Sequence, residues 1–353
     1  MAHCSFVPQQ RNSKPDMNHR LPAEWEPQSA VQFTFPHAET DWVDILDEVL
    51  PCFVEAIEII SQHEKVLVVC KNKIEVKTLL HNAVQENLIL VECPSNDTWA
   101  RDHGGITILE NGHPVILDFV FNGWGLKFPA NLDNLITGRL HAQGVFKVPL
   151  RHGGLALEGG ALESDGAGTL MTTTECLLSP NRNPHLSKAE VEGKLKDLFG
   201  LEQVLWLHHG YLAGDDTDSH IDTLARFCSP DTIAYVQCTD PQDEHFSALQ
   251  AMEKELQSFT TLSGKPYYLI PLPMAEACYA EDGQRLPATY ANFLIINGAV
   301  LVPTYNVPQD TLALAQLKIA FPQHQIIGLN CRALIEQHGS LHCITMQFPV
   351  GVI

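Results

Sequence analysis

The chain has 353 residues, 45% of them hydrophobic and 18% charged, with a formal net charge of −20 at pH 7. That length admits two ordinary domains or one large repeat-built domain, the excess of acid disfavours nucleic acid and anionic membrane as partners and favours cations, and no apolar run is long enough to span a bilayer. Ten cysteines without regular spacing argue against a disulfide framework and for a reducing, cytoplasmic setting, with most of them serving as small core residues.

Residues 1–20 are polar, carry Pro8 and Pro15, and lack the apolar stretch of a secretory signal, so they are expected to form a loose arm ahead of one domain over 21–353. The first apolar run is Val31–Phe35. A helix is expected within 41–62, kinked or broken at Pro51, followed by a strand at Val66–Cys70. Next comes Gly105–Asp118, two apolar runs around Asn111-Gly112, a pair suited to the positive φ of a tight hairpin turn.

The pattern of helix, strand, polar loop and hairpin then recurs. Residues 131–143 read as a helix, Val145–Pro149 as a strand, and 160–174 as a hairpin turning at Ser164-Asp165-Gly166. Ser187 with Glu190 forms a capping box for a helix that places Val191, Leu195, Leu198 and Phe199 on one face, and the strand Gln203–Leu207 and a hairpin at 224–238 follow. Leu249, Met252, Leu256 and Phe259 mark the next helix, Tyr267–Ile270 its strand, and 292–304 a hairpin turning at Asn297-Gly298. The last unit has a helix at 309–320, a strand at Gln325–Gly328 and a single hairpin strand, Cys343–Phe348. Val31–Phe35 is free to pair with it, which would close a ring of about five units and remove exposed sheet edges.

Unusual polar residues gather in the loop of each unit: Asn96–Gly105, Leu157–Gly160, Gly214–Asp222, Thr289–Asn292 and His338–Cys343. Equivalent loops of a cyclic repeat lie near one another, so one pocket is expected to receive Asp102, Glu158, His220, Asp222 and Cys343. A cysteine beside a histidine supplies a nucleophile and an acid/base. Three carboxylates around a thiolate make sense when the substrate is a cation, and guanidinium, planar and permanently charged, fits best. Each residue has an ordinary structural role open to it as well, since a lone cysteine is usually core and an aspartate beside Arg101 is usually a local ion pair.

The motifs Asn96-Asp-Thr-Trp-Ala-Arg-Asp102, Leu157-Glu-Gly-Gly160, Asn181-Arg-Asn-Pro184, His220-Ile-Asp222 and His342-Cys343, with Pro22-Ala-Glu-Trp-Glu-Pro27 at the start, make nearly the whole chain resemble the agmatine deiminases of the bacterial-type peptidylarginine deiminase superfamily. The resemblance implies the five-bladed α/β propeller of guanidine-modifying enzymes, hydrolysis of a small cationic guanidine, agmatine, to N-carbamoylputrescine, and no metal or cofactor. It implies attack by Cys343, proton transfer by His220 oriented by Glu158, guanidinium held by Asp102 and Asp222, and Trp99 lining the slot. Asp216 is assigned to the distal amine from its nearness to the His220 motif. Homo-oligomers are compatible with this reading.

The terminal motif His338-Gly-Ser-Leu-His-Cys343 lacks the three glycines commoner in the family, and Gly105 stands where a proline is usual. Agmatine, free arginine and peptidyl-arginine therefore stay open as substrates, with agmatine favoured because no extra domain for a protein substrate is apparent. Two rival readings are a metallohydrolase built on His208, His209, Asp215, Asp216, Asp218, His220 and Asp222, which lacks a His-Glu-x-x-His or Cys-x-x-Cys arrangement, and a polyamine-binding module, which has no need of Cys343.

Overall fold

The computed structural model describes residues 19–353. Residues 1–18 of the expected arm lie outside the described residues, while His19–Arg20 form a short strand paired with Leu109 and Glu110, so the arm does not extend through residue 20.

The chain is a mixed α/β fold in which five sheets share one construction: an antiparallel pair followed by a strand parallel to its second member. In the first, Ile106–Glu110 pairs antiparallel with His113–Val120, which runs parallel to Leu150–Ala156. Asn111 and Gly112, both at positive φ, make the turn. Glu163–Ser164, Thr169–Thr173 and Gln203–Leu207 form the second. Ala225–Ser229, Thr232–Gln237 and Tyr268–Pro273 form the third. Leu294–Ile296, Ala299–Thr304 and Gln325–Asn330 form the fourth.

The fifth joins the two ends of the chain. Thr345–Pro349 pairs antiparallel with Gln28–Thr34, which runs parallel to Lys65–Cys70, as the apolar runs at the two ends required. Strands buried on both faces read as near-continuous apolar runs, and Lys65–Cys70 shows why: Val66, Val68 and Cys70 pack into one core cluster, Leu67 and Val69 into a second.

Four elements differ from expectation. Val145–Pro149 is irregular, and the strand of that unit begins at Leu150; with Gly153 and Gly154 inside it, its sequence carries little β signal. Pro51 does not break the first helix, which runs from Leu46 to Ser61 with the proline inside it. Near the start of a helix that buries Val49, Phe53, Ala56, Ile57 and Ile60, packing outweighs the lost backbone hydrogen bond. Lys73–Leu79 and Leu88–Glu92 add a helix and a further parallel strand to the terminal sheet; the apolar run Leu88-Ile-Leu-Val91 was a strand signal that the repeat pattern, which allots one parallel strand to each unit, left unused.

Nine described cysteines are unpaired and buried. Among the described residues no helix is long and apolar enough to cross a membrane.

Candidate active site

Three of the loops between the sheets contain a short helical turn that fixes functional side chains. Ala100–His103 is such a turn, and it buries Asp102. Glu158 stands immediately before the turn Gly159–Ala161, and His220 before Ile221–Thr223, which carries Asp222. Two residues at positive φ, Asp218 and Ser219, lead into His220. They are pinned from Asp215, whose Oδ2 accepts from the Ser219 amide at 2.6 Å. Asn292 holds the end of the last loop: its Oδ1 accepts from the amides of His342 and Cys343 at 2.8 and 3.3 Å, and lies 3.4 Å from the Cys343 sulfur.

These turns converge. Asp102 Oδ1 accepts from the Gly160 amide at 3.0 Å and lies 3.6 Å from His220 Nδ1. Glu158 Oε2 is 3.9 Å from His220 Nε2, and both Glu158 oxygens accept from Arg182 Nε, at 3.0 and 2.9 Å. A Cβ at Gly160 would stand 2.5 Å from His220 Nδ1 and 2.9 Å from Asp102 Oδ1, so the second glycine of Glu158-Gly-Gly160 is what allows the imidazole and the carboxylate to approach. His220 is fully buried, and neither ring nitrogen has a hydrogen-bond partner.

The open pocket is lined by Cys343, Asp102, Trp99 and Trp124, with Asp41, Asp97, Asp215 and Asp216 among its other residues. Cys343 is 5% exposed. Asp102 and Cys343 thus reach the pocket as expected, while Glu158, His220 and Asp222 are buried and absent from its lining. Trp99 forms one wall, its indole donating to Asp97 at 3.0 Å, and Gly339 packs so close to its ring that a Cβ there would fall 2.1 Å from it. Asp216 lies at the half-exposed mouth, 3.9 Å from His338 Nε2.

Charge in the site follows from burial. Desolvation and then the nearby Asp222 and Asp102 hold the Cys343 thiol well above its ordinary pKa, and desolvation pushes Asp102 up to about 6 against the pull of His220. Burial also acts to lower His220, but Asp102 and its other neighbours outweigh it and raise the imidazole well above its usual value. For Glu158 burial is likewise overcome, by His220 and Arg182, and its carboxyl stays below the normal range. At neutral pH these directions favour a neutral thiol and a charged imidazole, and positive charge placed beside the two aspartates would favour ionisation of the thiol.

Sequence reasoning passed over three contributors. Trp124, at positive φ in a turn capped by Asn122, donates to Asp102 Oδ2 at 2.9 Å; the glycines of Asn122-Gly-Trp-Gly125 were the available signal. Arg182 sat in a quoted motif without a role. Cys176 is buried with its sulfur, a Glu158 oxygen and a His220 nitrogen all within 4.8 Å of one another, the one such potential metal-ligand group among the described residues. Arg182 already occupies both oxygens of Glu158. The seven residues of the metallohydrolase reading form no metal-ligand group among the described residues: His208, His209, Asp215 and Asp218 share a surface cavity, but His209 bonds Glu255 at 2.8 Å and His208 lies beside Lys188, while His220 and Asp222 are buried and absent from its lining. Asp102 is not paired with Arg101, whose Nη1 donates to Gln347.

The model of the Porphyromonas-type peptidyl-arginine deiminase family matches residues 20–349. An agmatine deiminase of Medicago truncatula is 32% identical, covering 93% of this chain and 96% of its own length. Among solved structures, a cysteine-to-serine variant of the C. jejuni agmatine deiminase with substrate bound is 38% identical at a TM-score of 0.91, covering 98% of this chain and all of that one. A Porphyromonas gingivalis protein provisionally named an arginine deiminase is 55% identical at a TM-score of 0.92, covering 95% of this chain and all of that one. An amidinotransferase from Microseira wollei, 11% identical, shares the fold at a TM-score of 0.50, covering 92% of this chain and 95% of that one.

Proposed function

The chain belongs to the Porphyromonas-type peptidyl-arginine deiminase family, and from that premise we propose that it hydrolyses the guanidinium group of agmatine to N-carbamoylputrescine and ammonia. One observation carries the choice of substrate: among the described residues, Cys343 shares its pocket with five aspartates and with no lysine or arginine. A flat cation with a second cationic end suits that lining, whereas the carboxylate of free arginine would face uncompensated negative charge.

Asp102 and Asp222 hold the guanidinium nitrogens, Trp99 lies along the alkyl chain, and Asp216 at the mouth takes the distal ammonium. The bound cation offsets the two carboxylates that oppose ionisation of Cys343, so substrate helps to make its own nucleophile. The thiol proton leaves to solvent and the sulfur adds to the guanidinium carbon. The tetrahedral adduct breaks its bond to one terminal nitrogen, which takes the proton of His220 and departs as ammonia, leaving an amidino-thioether on Cys343. Neutral His220, held by Glu158, then removes a proton from water and the hydroxide adds to the same carbon; as the C–S bond breaks, the added hydroxyl gives its proton to solvent, which returns the thiolate and the urea product. These steps require neither metal nor cofactor.

We place residues 19–353 in a single catalytic domain and the five sheets in a five-bladed propeller. Their common strand order and the pairing of the two chain ends support that arrangement. Ammonia release measured side by side on agmatine, arginine and a peptidyl-arginine tests the substrate assignment. Agmatine should have the highest kcat/KM, and a higher value for either of the others would overturn it.

A further inference from the structure

His342 and Cys343 are neighbours in sequence but face different cavities. Cys343 lines the substrate pocket, whereas His342 lines a second cavity with Glu24, Arg101 and Glu163, and the two cavities have no lining residue in common. His342 is 1% exposed. Its Nδ1 lies 2.7 Å from Asp222 Oδ2, and its Nε2 lies 2.7 Å from Glu24 Oε2. Glu24 also accepts from Arg226 Nη2 at 2.9 Å. The other oxygen of Asp222, Oδ1, is buried and has no hydrogen-bond partner among the described residues.

An imidazole bonded through both nitrogens to two carboxylates must donate at both, which only the doubly protonated ring can do. The surroundings agree. The charged groups around His342 are Glu24 from the N-terminal segment, Asp222 from its turn, Glu163 and Arg226 from neighbouring strands, and Arg101, whose Nε lies 3.4 Å from the His342 carbonyl oxygen. Three buried carboxylates face two guanidinium groups, so a charged ring balances the cluster, and buried charge is tolerated when balanced and hydrogen-bonded.

We propose that His342 is a positioning residue for the reaction: it fixes Asp222 by one oxygen, leaves the other for the guanidinium, and places a positive charge behind the nucleophile without touching substrate. The inference rests on the deiminase reading above. Asp222 is among the groups that disfavour the Cys343 thiolate, and a cation bonded to Asp222 moderates that effect.

His342→Asn keeps a donor for Asp222 and removes the charge, and His342→Gln does the same with a longer reach toward Glu24. Alkylation of Cys343 by iodoacetamide, followed across pH by peptide mapping, reads thiolate formation directly. In a folded variant the midpoint should move to higher pH by about one unit, with kcat for agmatine at pH 7 reduced about tenfold and restored in part at higher pH. An unmoved midpoint in a folded variant overturns the proposal, and so does failure of both variants to fold, which would make His342 a requirement of the structure alone. If the unmodified protein releases no ammonia from agmatine, or Cys343→Ala keeps its turnover, the deiminase reading itself fails. If turnover depends on Cys343 but the midpoint stays, only the role of His342 fails.

Discussion

Both carboxylate oxygens of Glu158 accept from one nitrogen of Arg182, at 3.0 and 2.9 Å, beneath the imidazole of His220. Removing the cation leaves a buried carboxylate uncompensated, at a cost of about 3–5 kcal/mol. Arg182→Ala should therefore lower the urea midpoint markedly and reduce kcat, because Glu158 no longer stays ionised under His220. Arg182→Lys, which keeps the charge, should restore part of both. Equal stability of the alanine variant and the parent protein would show that this pair does not support the site.

Gly160 tests the packing of the catalytic pair. The methyl group of Gly160→Ala must displace His220 or Asp102, since it would lie 2.5 and 2.9 Å from their side-chain atoms. Agmatine turnover should fall at least a hundredfold in a protein that remains folded by circular dichroism. Near-normal turnover would mean that His220 and Asp102 need not lie side by side.

Trp124→Phe removes the indole that donates to Asp102 Oδ2. A carboxylate that loses a donor is harder to ionise, so the Asp102 pKa, already pushed up to about 6 by burial, rises further. With ionised Asp102 required for binding the guanidinium, the acid limb of kcat/KM should move to higher pH. A limb that stays in place contradicts the role given to Asp102.

Stability should fall as pH rises from about 5.5 to 8, above the range where the carboxylates with lowered pKa values titrate in either state. Burial pushes Glu64, Asp97 and Asp133 up to about 7 and Asp102 up to about 6, whereas the unfolded chain releases these protons near 4. Between about pH 5.5 and 8 these four groups leave the native state holding more protons, so their contribution is lost with rising pH, and buried His103, lowered to about 3, opposes them only up to its unfolded value of about 6.5. His220 acts in the same direction: its raised pKa favours the fold below its unfolded value of about 6.5, and that contribution disappears as pH rises through the folded value. Calorimetry should find a higher Tm at pH 5.5 than at pH 8, and the reverse order would contradict these shifts.

Local chemistry decided what could be read from the chain. Asn111-Gly112 and Asn297-Gly298 marked their hairpins because few residue types accept positive φ, and Ser187 with Glu190 marked a helix start because the two side chains satisfy each other's backbone amides. Recurrence of such units led to Asp102, Glu158, His220 and Cys343 as one cluster. What stayed hidden was set by contacts between distant segments. Nothing in Asn122-Gly-Trp-Gly125 announces that the indole reaches Asp102, and nothing near Glu24 announces that it bonds a histidine 318 positions later. The strand Leu150–Ala156 was missed because Gly153 and Gly154 fall where its pairing with His113–Val120 shifts register, and an irregular glycine pair inside a strand erases its β signal.

The assignment of Cys343 as nucleophile is tested most directly by quenching the protein in acid during turnover of agmatine and mapping its peptides by mass spectrometry. An amidino-thioether should appear on Cys343 and vanish when substrate is exhausted. Ammonia release with no adduct on Cys343, or with the adduct on Cys176 beside His220, would contradict it.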